Sequence, residues 1–423
     1  MASSKLQSAL QQAANSNDKS SAYTQILGDL TQSTFGTSEE QAGSLIAYVD
    51  ALSSSSLGII STKPLLTSLI QALASTPSNV KVKVGAHIAE QLQSQTASFE
   101  EQNATVRDIL ATGYEEEEDW SKAAQALQGI HLESTQRQVP DLVKVQTWVR
   151  IVRCYLEDYD TVSAETALNR IKNSTGALQV LEDSPELQLH YRLSQARILD
   201  SRREFLNAAA EYLNVSFSRA VAEDDRLQAL SAAIKTAILA PAGPPRSRML
   251  GKLYKDERST ETQEYGILEK MFLDRLLSSE EVDAFAGSLA PHQLAVTADG
   301  STVLSKAVLE HNLLAASKLY DNISTAALAD ILGLKDSKDG TAAERAEDYA
   351  ARMIEQGRLR AEIDQIDLVI RFEAVAGLPF TGEAKDLRLW DLAVQGLVED
   401  VERYAEGISG AFPELSAEGM VNG

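Results

Sequence analysis

Residues 322–373 read NISTAALADILGLKDSKDGTAAERAEDYAARMIEQGRLRAEIDQIDLVIRFE. Ser324 to Leu332 predicts a short helix closed by Gly333, since glycine readily takes the left-handed conformation that ends helices. Lys335 to Gly340 is a polar turn. Ala342 to Gln356 predicts a second helix, stopped by Gly357. Leu359–Ile363 and Asp367–Phe372 then read as two short strands around Asp364 and Gln365. Helix, turn, helix and hairpin, in that order, describe a winged helix.

Such a module often reads DNA through its second helix. Here that helix carries Glu344, Glu347, Asp348 and Glu355 against Arg345 and Arg352. Its net negative charge opposes entry into a groove lined by phosphates.

Beyond the winged helix, Gly377, Pro379 and Gly382 break the chain, and a last helix is expected over 383–408. Leu387, Trp390, Val394, Leu397, Val401, Tyr404 and Ile408 fall at steps of three and four, the spacing of a heptad seam. One helix cannot bury such a stripe alone. Its place after a completed domain favours packing on other chains.

Upstream, residues about 216–320 predict further helices. Ser278 with Glu281 forms a capping box ahead of Val282, Phe285 and Leu289. Ser301–Tyr320 is a long helix with Val303, Leu304, Ala307, Val308, Leu313, Leu314 and Leu319 as apolar positions. The stretch from Arg246 and Arg248 through Lys252, Lys255 and Arg258 is locally basic. Interleaved Met249, Leu250, Leu253 and Tyr254 make it an amphipathic helix whose charges face solvent or pair with acids, with a phosphate or nucleic-acid patch as the alternative.

Further upstream a repeat appears. Trp120 precedes Ala123-Ala124 and Leu127; Tyr159 precedes Ala164 and Leu168; Phe205 precedes Ala208-Ala209 and Tyr212. The small residues recur about every 40 to 45 positions, the range of two-helix solenoid repeats. We read these as tetratricopeptide-like units, each with an aromatic on one helix and small residues that admit its partner. Ser184-Pro185-Glu186 opens one helix with an N-cap, a first-turn proline and a first-turn acid. Glu115–Asp119 is an acidic run, read as a solvated helix start or loop, or else a surface for a basic partner. In the first third, Thr37 with Glu40 is a capping box, Pro64 is placed at the opening of a helix, and Val80, Val82, Val84, Ile88 and Leu92 read as helix.

The fold class is therefore mostly α. A helical-repeat arm is expected over 1–215, a helical segment over 216–321, the winged helix over 322–373, and a linker with a C-terminal helix over 374–423. The composition agrees: 423 residues, 44% hydrophobic but only 6% aromatic, with the abundant Ala and Leu that favour helices.

The net charge of −22 disfavours direct contact with nucleic acid or anionic membranes and suits basic protein partners. A single cysteine, Cys154, allows no disulfide within the chain and points to a reducing compartment. No signal-peptide pattern opens the sequence and no run of about 18 apolar residues crosses it, so neither secretion nor membrane insertion is expected.

No catalytic, cofactor-binding or metal-ligating set is found. His87, His131, His190, His292 and His311 are dispersed, with no HxH or HExxH pair. Phosphate-binding loops and nucleophile elbows are absent as well.

Helical repeats followed by a winged helix resemble the PCI-domain family, shared by subunits of the proteasome lid, the COP9 signalosome and a translation initiation factor. Longer stretches are similar to the subunit 4 branch of the signalosome: ARILDSRREFLNAAAEY (196–212), ILAPAGPPRSRMLGKLYKDER (238–258), ILEKMFLDRLL (267–277), LAPHQLAVTADGSTVLSKAVLEHNLLAASKLYDNIS (289–324) and IDQIDLVIRFE (363–373). The resemblance implies a non-catalytic, substrate-sensing scaffold in cytoplasm and nucleus, in a complex that removes Nedd8 from cullins. The isopeptidase would lie in a different subunit, one of an MPN pair. Partners implied are the other PCI subunits, that pair, and the cullin–RING ligase. The seam from Leu387 to Ile408 would join a helix bundle. The edge of Asp367–Phe372, with Leu368 and Ile370, would pair with a neighbouring sheet. The proteasome lid and the initiation factor are the alternatives.

Overall fold

The computed structural model describes residues 4–16, 18–32, 37–54, 58–93, 98–133, 138–174, 176–219, 221–296, 301–336 and 340–372, together with 397 and 401. Among them are nineteen α-helices and one three-stranded sheet. The chain forms two compact units, Met1–Asn312 and Leu313–Gly423.

The first unit begins with α1 (Ser4–Asn15), α2 (Lys19–Gln32), α3 (Ser38–Ser54), α4 (Ile59–Ala74), α5 (Ser78–Gln93) and α6 (Glu100–Glu116). Their shared core centres on Tyr23, Tyr48, Leu69, Leu73 and Ile88, all fully buried. The two tyrosines meet edge to face with centroids 5.9 Å apart. Both hydroxyls are satisfied on backbone: Tyr48 donates to the Tyr23 carbonyl at 3.1 Å and Tyr23 to the Ala51 carbonyl at 3.3 Å. That lets a polar ring tip sit in an apolar core. Val80 and Val84 lie buried on α5, so the helical spacing prevails over the strand-like alternation. Thr37 accepts from the Glu40 N–H at 3.3 Å at the start of α3.

Pro64 is a correction: it stands inside α4, not at its opening, because the helix begins at Ile59. The N–H it lacks would have served the carbonyl of Ile60, a residue 89% exposed, where water substitutes.

Helices α5 and α6 approach closely because Gly85 and Gly113 lie between them. A Cβ on Gly113 would sit 3.1 Å from both Lys81 Cβ and Val82 Cγ2, so a side chain there would press on its neighbours.

The repeat follows in α6, α7 (Trp120–Gln128), α8 (Asp141–Glu157), α9 (Thr161–Asn173), α10 (Ala177–Asp183), α11 (Pro185–Ser201) and α12 (Phe205–Ser216). Ala123, Ala124, Ala164, Ala208 and Ala209 are all fully buried, which is what close helix pairing needs. Three turns are built alike. Glu118, Tyr159 and Arg203 have φ of 59°, 60° and 64°. In each turn the next N–H returns to the helix just ended, from Asp119 to Tyr114, Asp160 to Tyr155 and Glu204 to Leu199, each at 2.9 Å. This is a Schellman closure with a non-glycine residue at the left-handed position.

Asp119 and Asp160 then cap α7 and α9, accepting from the N–H groups of Lys122 and Ser163. Hydrogen bonds from Ser163, side chain first, hold Asp160 below the ordinary carboxylate range. The cap thus contributes fully above that range and fades as pH falls through the lowered value.

Two readings change here. Tyr159 is not the counterpart of Trp120 and Phe205. Those residues open helices, whereas Tyr159 occupies the turn and is 81% exposed. Ser184 takes the N-cap position before Pro185 but makes no side-chain cap bond.

The unit continues through α13 (Glu223–Leu239), α14 (Pro244–Tyr254), a 3-10 turn (Glu257–Glu261), α15 (Tyr265–Phe272), α16 (Ser279–Ala286) and the start of α17 (Val303–Leu319). Leu230, Ile234, Ile238 and Leu253 centre their core. The Ser278–Glu281 capping box is present in both directions. Arg246, in the basic stretch, is 3% exposed and donates to the Ala240 carbonyl at 3.1 Å. Arg258 pairs with Asp256, donates to the Ser216 carbonyl at 2.7 Å and covers the Phe217 ring. These two cations hold the fold together, whereas Arg248, Lys252 and Lys255 of the same stretch are exposed.

The second unit holds β1 (Asn322–Ser324), α18 (Thr325–Leu332), α19 (Ala342–Glu355), β2 (Ala361–Asp364) and β3 (Val369–Phe372). This is the winged helix. Ser324 caps α18, Gly333 ends it at φ 66°, and Thr341 with Glu344 forms a capping box on α19. Gly357 closes α19 at φ 65°. The sheet is antiparallel in the order β1-β3-β2. The strands are shorter than expected and the turn between β2 and β3 is longer. Strand β1, only three residues long, lies below what alternation can reveal.

Two substitutions test this packing. Gly113→Val should lower stability by about 1–3 kcal/mol through overpacking. Tyr159→Gly should raise it by about 0.5–1 kcal/mol, because glycine takes positive φ without the Cβ clash. Urea midpoints of the two variants should move in opposite directions.

Candidate functional site

The side chains with chemical potential are occupied by structure. His311 is 2% exposed, with Nε2 2.9 Å from the Arg275 carbonyl. Beside it, Asn312 accepts from the Leu277 N–H at 3.0 Å and donates to the Leu277 carbonyl at 3.1 Å, fastening that loop to α17. His292 lies 3.1 Å from the buried Asp200 carboxylate, whose two oxygens accept from the Gln293 amide at 3.1 and 2.9 Å. His87 contacts Asp50 at 2.6 Å on α3. Burial holds His190 below its ordinary value. Among the described residues no group of three or more His, Cys, Asp or Glu is placed to hold a metal.

Cys154 is 2% exposed. Burial, and next the Glu115 carboxylate 3.3 Å from its sulfur, push the thiol up to about 12. A thiol so buried and so weakly acidic is a poor nucleophile.

What the described residues offer instead is an open sheet edge and exposed apolar side chains. In the winged helix, β3 is the central strand, paired on both sides. The expected edge role of Asp367–Phe372 is therefore corrected. Ile370 is completely buried in the unit's core. Leu368 stands in the turn at φ 53° and 54% exposed, its carbonyl accepting from the Thr325 N–H at 2.9 Å. The short β1 strand takes the place the hairpin alone would have left open.

Strands β1 and β2 form the edges. Beside β2 runs a groove of about 470 Å³, lined by Glu347 and Ala351 of α19 and by Glu362, Ile363 and Asp364. Ile366, at the hairpin tip, is 94% exposed. Neither β2's edge role nor Ile366 was legible in the sequence; an isoleucine between two aspartates in a predicted turn was the available signal.

Of the C-terminal seam, Leu387, Trp390, Val394, Tyr404 and Ile408 lie outside the described residues. Leu397 and Val401 are helical, 66% and 60% exposed. Each presents an apolar side chain to solvent.

The acidic run is divided. Glu115 pairs with Arg150, Glu116 with Lys81, and Asp119 with Lys122 while capping α7. Glu117 and Glu118 are exposed.

Residues 2–224 match the family model described as PSMD12/CSN4, N-terminal, and residues 271–374 match that of the PCI domain. COP9 signalosome complex subunit 4 of Emericella nidulans is 56% identical over 387 residues, 91% of this chain and 93% of that protein. The Neurospora crassa protein of the same name is 45% identical over 99% of both chains. That of Drosophila melanogaster is 37% identical over 94% of this chain and 92% of its own. The chain belongs to the COP9 signalosome complex subunit 4 family. In this subunit 4 family member, the N-terminal match runs from α1 to the start of α13, and the PCI match ends just past β3.

Cys154 should resist iodoacetamide in the native protein and be labelled to completion in urea, as intact mass spectrometry would read.

Proposed function

We propose that the chain is a non-catalytic scaffold and substrate-sensing subunit of the COP9 signalosome, supporting removal of Nedd8 from cullin–RING ligases. The observation that carries this is identity over nearly the whole chain to proteins bearing the subunit 4 name. On this reading residues 1–215 form the arm, 216–373 the PCI domain, and 374–423 a linker with the bundle helix. Chemistry resides in the MPN isopeptidase of another subunit, which accords with the structural use of His311, Asn312 and Cys154 above. The complex works in cytoplasm and nucleus. No described helix is long and apolar enough to cross a membrane.

Three physical elements support the role. The β2 edge, with its groove beside α19, offers backbone hydrogen bonds to a neighbouring chain. The seam offers apolar burial, about 1.5–3 kcal/mol per large side chain fully covered, and Leu397 and Val401 stand uncovered in the chain alone. The stacked repeats form a semi-rigid arm that contacts the cullin–RING ligase and relays its arrival.

Leu397→Asp with Val401→Asp, and separately a chain ending at Phe380, should lose the other subunits on affinity purification, together with Nedd8–cullin cleavage in the eluate. Unchanged co-purification would refute the bundle role. Recovery of proteasome or ribosomal proteins by the full chain would refute the scaffold assignment.

A further inference from the structure

The three Schellman turns of the repeat can be compared position by position. The left-handed residue is Glu118, Tyr159 or Arg203, and three positions later stand Ser121, Val162 and Leu206. Only the middle turn presents two exposed apolar side chains: Tyr159 is 81% and Val162 75% exposed, whereas Leu206 is half-buried against the core. The fold requires neither. Its neighbours make the same turn with charged residues, and glycine would make it with less strain. An exposed tyrosine held where its own backbone disfavours it is not explained by the fold. Tyrosine is also the side chain enriched at binding hot spots.

The surroundings state the partner's charge. Glu115 Oε1 lies 3.3 Å from Cys154 Sγ and Arg150 pairs with both Asp108 and Glu115, so α6 and α8 meet three residues before Glu118 and five before Tyr159. Glu117, Glu118 and Asp158 are exposed there, and they make no ion pair among the described residues. On the other side the charges are largely spent: Arg197 pairs with Glu157 at 2.7 Å, and Arg202 pairs with Glu165. Arg202, which is paired, and Arg203 are exposed there, and Arg153 of α8 is an exposed cation as well. Of the carboxylates at these turns, Glu118 and Asp158 make no ion pair among the described residues, and Glu117 acts on Lys122, which is itself paired with Asp119.

We propose that this edge, Tyr159 and Val162 flanked by Glu117, Glu118 and Asp158, docks a basic protein segment that lays an apolar or aromatic side chain against Tyr159. The apolar pair supplies burial and the carboxylates supply orientation and encounter rate. The proposal rests on the reading of the chain as a scaffold subunit, and it names the surface and the partner chemistry that reading leaves open.

The test uses the complex assembled in cells, with p-benzoylphenylalanine replacing Val162. It is irradiated, and the cross-linked peptide is sequenced. The expected product joins position 162 to a Lys- or Arg-rich segment of another protein. Tyr159→Gly should cut its yield about 5-fold or more while leaving the urea midpoint equal or higher, which separates lost docking from lost folding. The triple variant Glu117→Lys, Glu118→Lys, Asp158→Lys should cut it comparably. A neutral or acidic cross-linked segment, a cross-link only to a second copy of this chain, or a yield indifferent to either variant overturns the proposal. Other subunits are monitored in the same sample. A chain isolated alone overturns the scaffold reading and this proposal with it, whereas an assembled complex without a basic cross-link overturns this surface only.

Discussion

The repeat region depends on a backbone constraint more than on any side-chain contact. Each time the chain reverses after a long helix, one residue adopts positive φ and the following N–H returns to a carbonyl of the helix just ended, at 2.9 Å in all three turns. That closure satisfies a carbonyl otherwise left bare at the helix end and fixes the direction in which the next helix departs. The fully buried alanines then fall at the same distance behind each turn, so small residues meet the partner helix wherever the turn delivers it. The turn sets the geometry, and the alanines permit the approach that the geometry demands.

Much of this was legible in the sequence, and the limits are informative. The alanine pairs announced the period because a buried alanine against a helix is constrained by volume, a property residue identity reports directly. The αL positions were invisible because glutamate, tyrosine and arginine carry no signature of positive φ, unlike Gly333 and Gly357, which were read at once as helix stops. Tyr159 was misread for the same reason: an aromatic just ahead of an alanine suggests core packing, and only the turn's closure shows that it points outward. Pro64 was misplaced because the preceding Ile59-Ile60 gave no start signal stronger than the proline itself.

The winged helix shows the same division. The ends of both helices were read from Gly333 and Gly357, and the structure adds their N-caps, Ser324 and Thr341 with Glu344, where side-chain chemistry and backbone need coincide. The sheet was only half read. A hairpin can be inferred from local sequence, but its third strand is a pairing between Asn322–Ser324 and Val369–Phe372, and distant pairing leaves no local trace. That omission reversed a functional reading, since adding β1 turns β3 from an edge into the centre and leaves β1 and β2 as the edges.

An acidic total of −22 says less about partners than where the charge remains uncompensated. Arg150 holds both Glu115 and Asp108, bridging α8 to α6, and Lys81 holds Glu116 across α5 and α6. These acids belong to the seams between helices and are not available to a visitor. The same sequence run also contains Glu117 and Glu118, which bridge nothing. A run of five acids is thus a structural clamp at three positions and an open field at two, and only the open ones can draw a basic partner. Where such residual charge coincides with apolar side chains that the fold itself does not use, as it does around Tyr159, an attraction of long range and a contact of short range converge on one small surface.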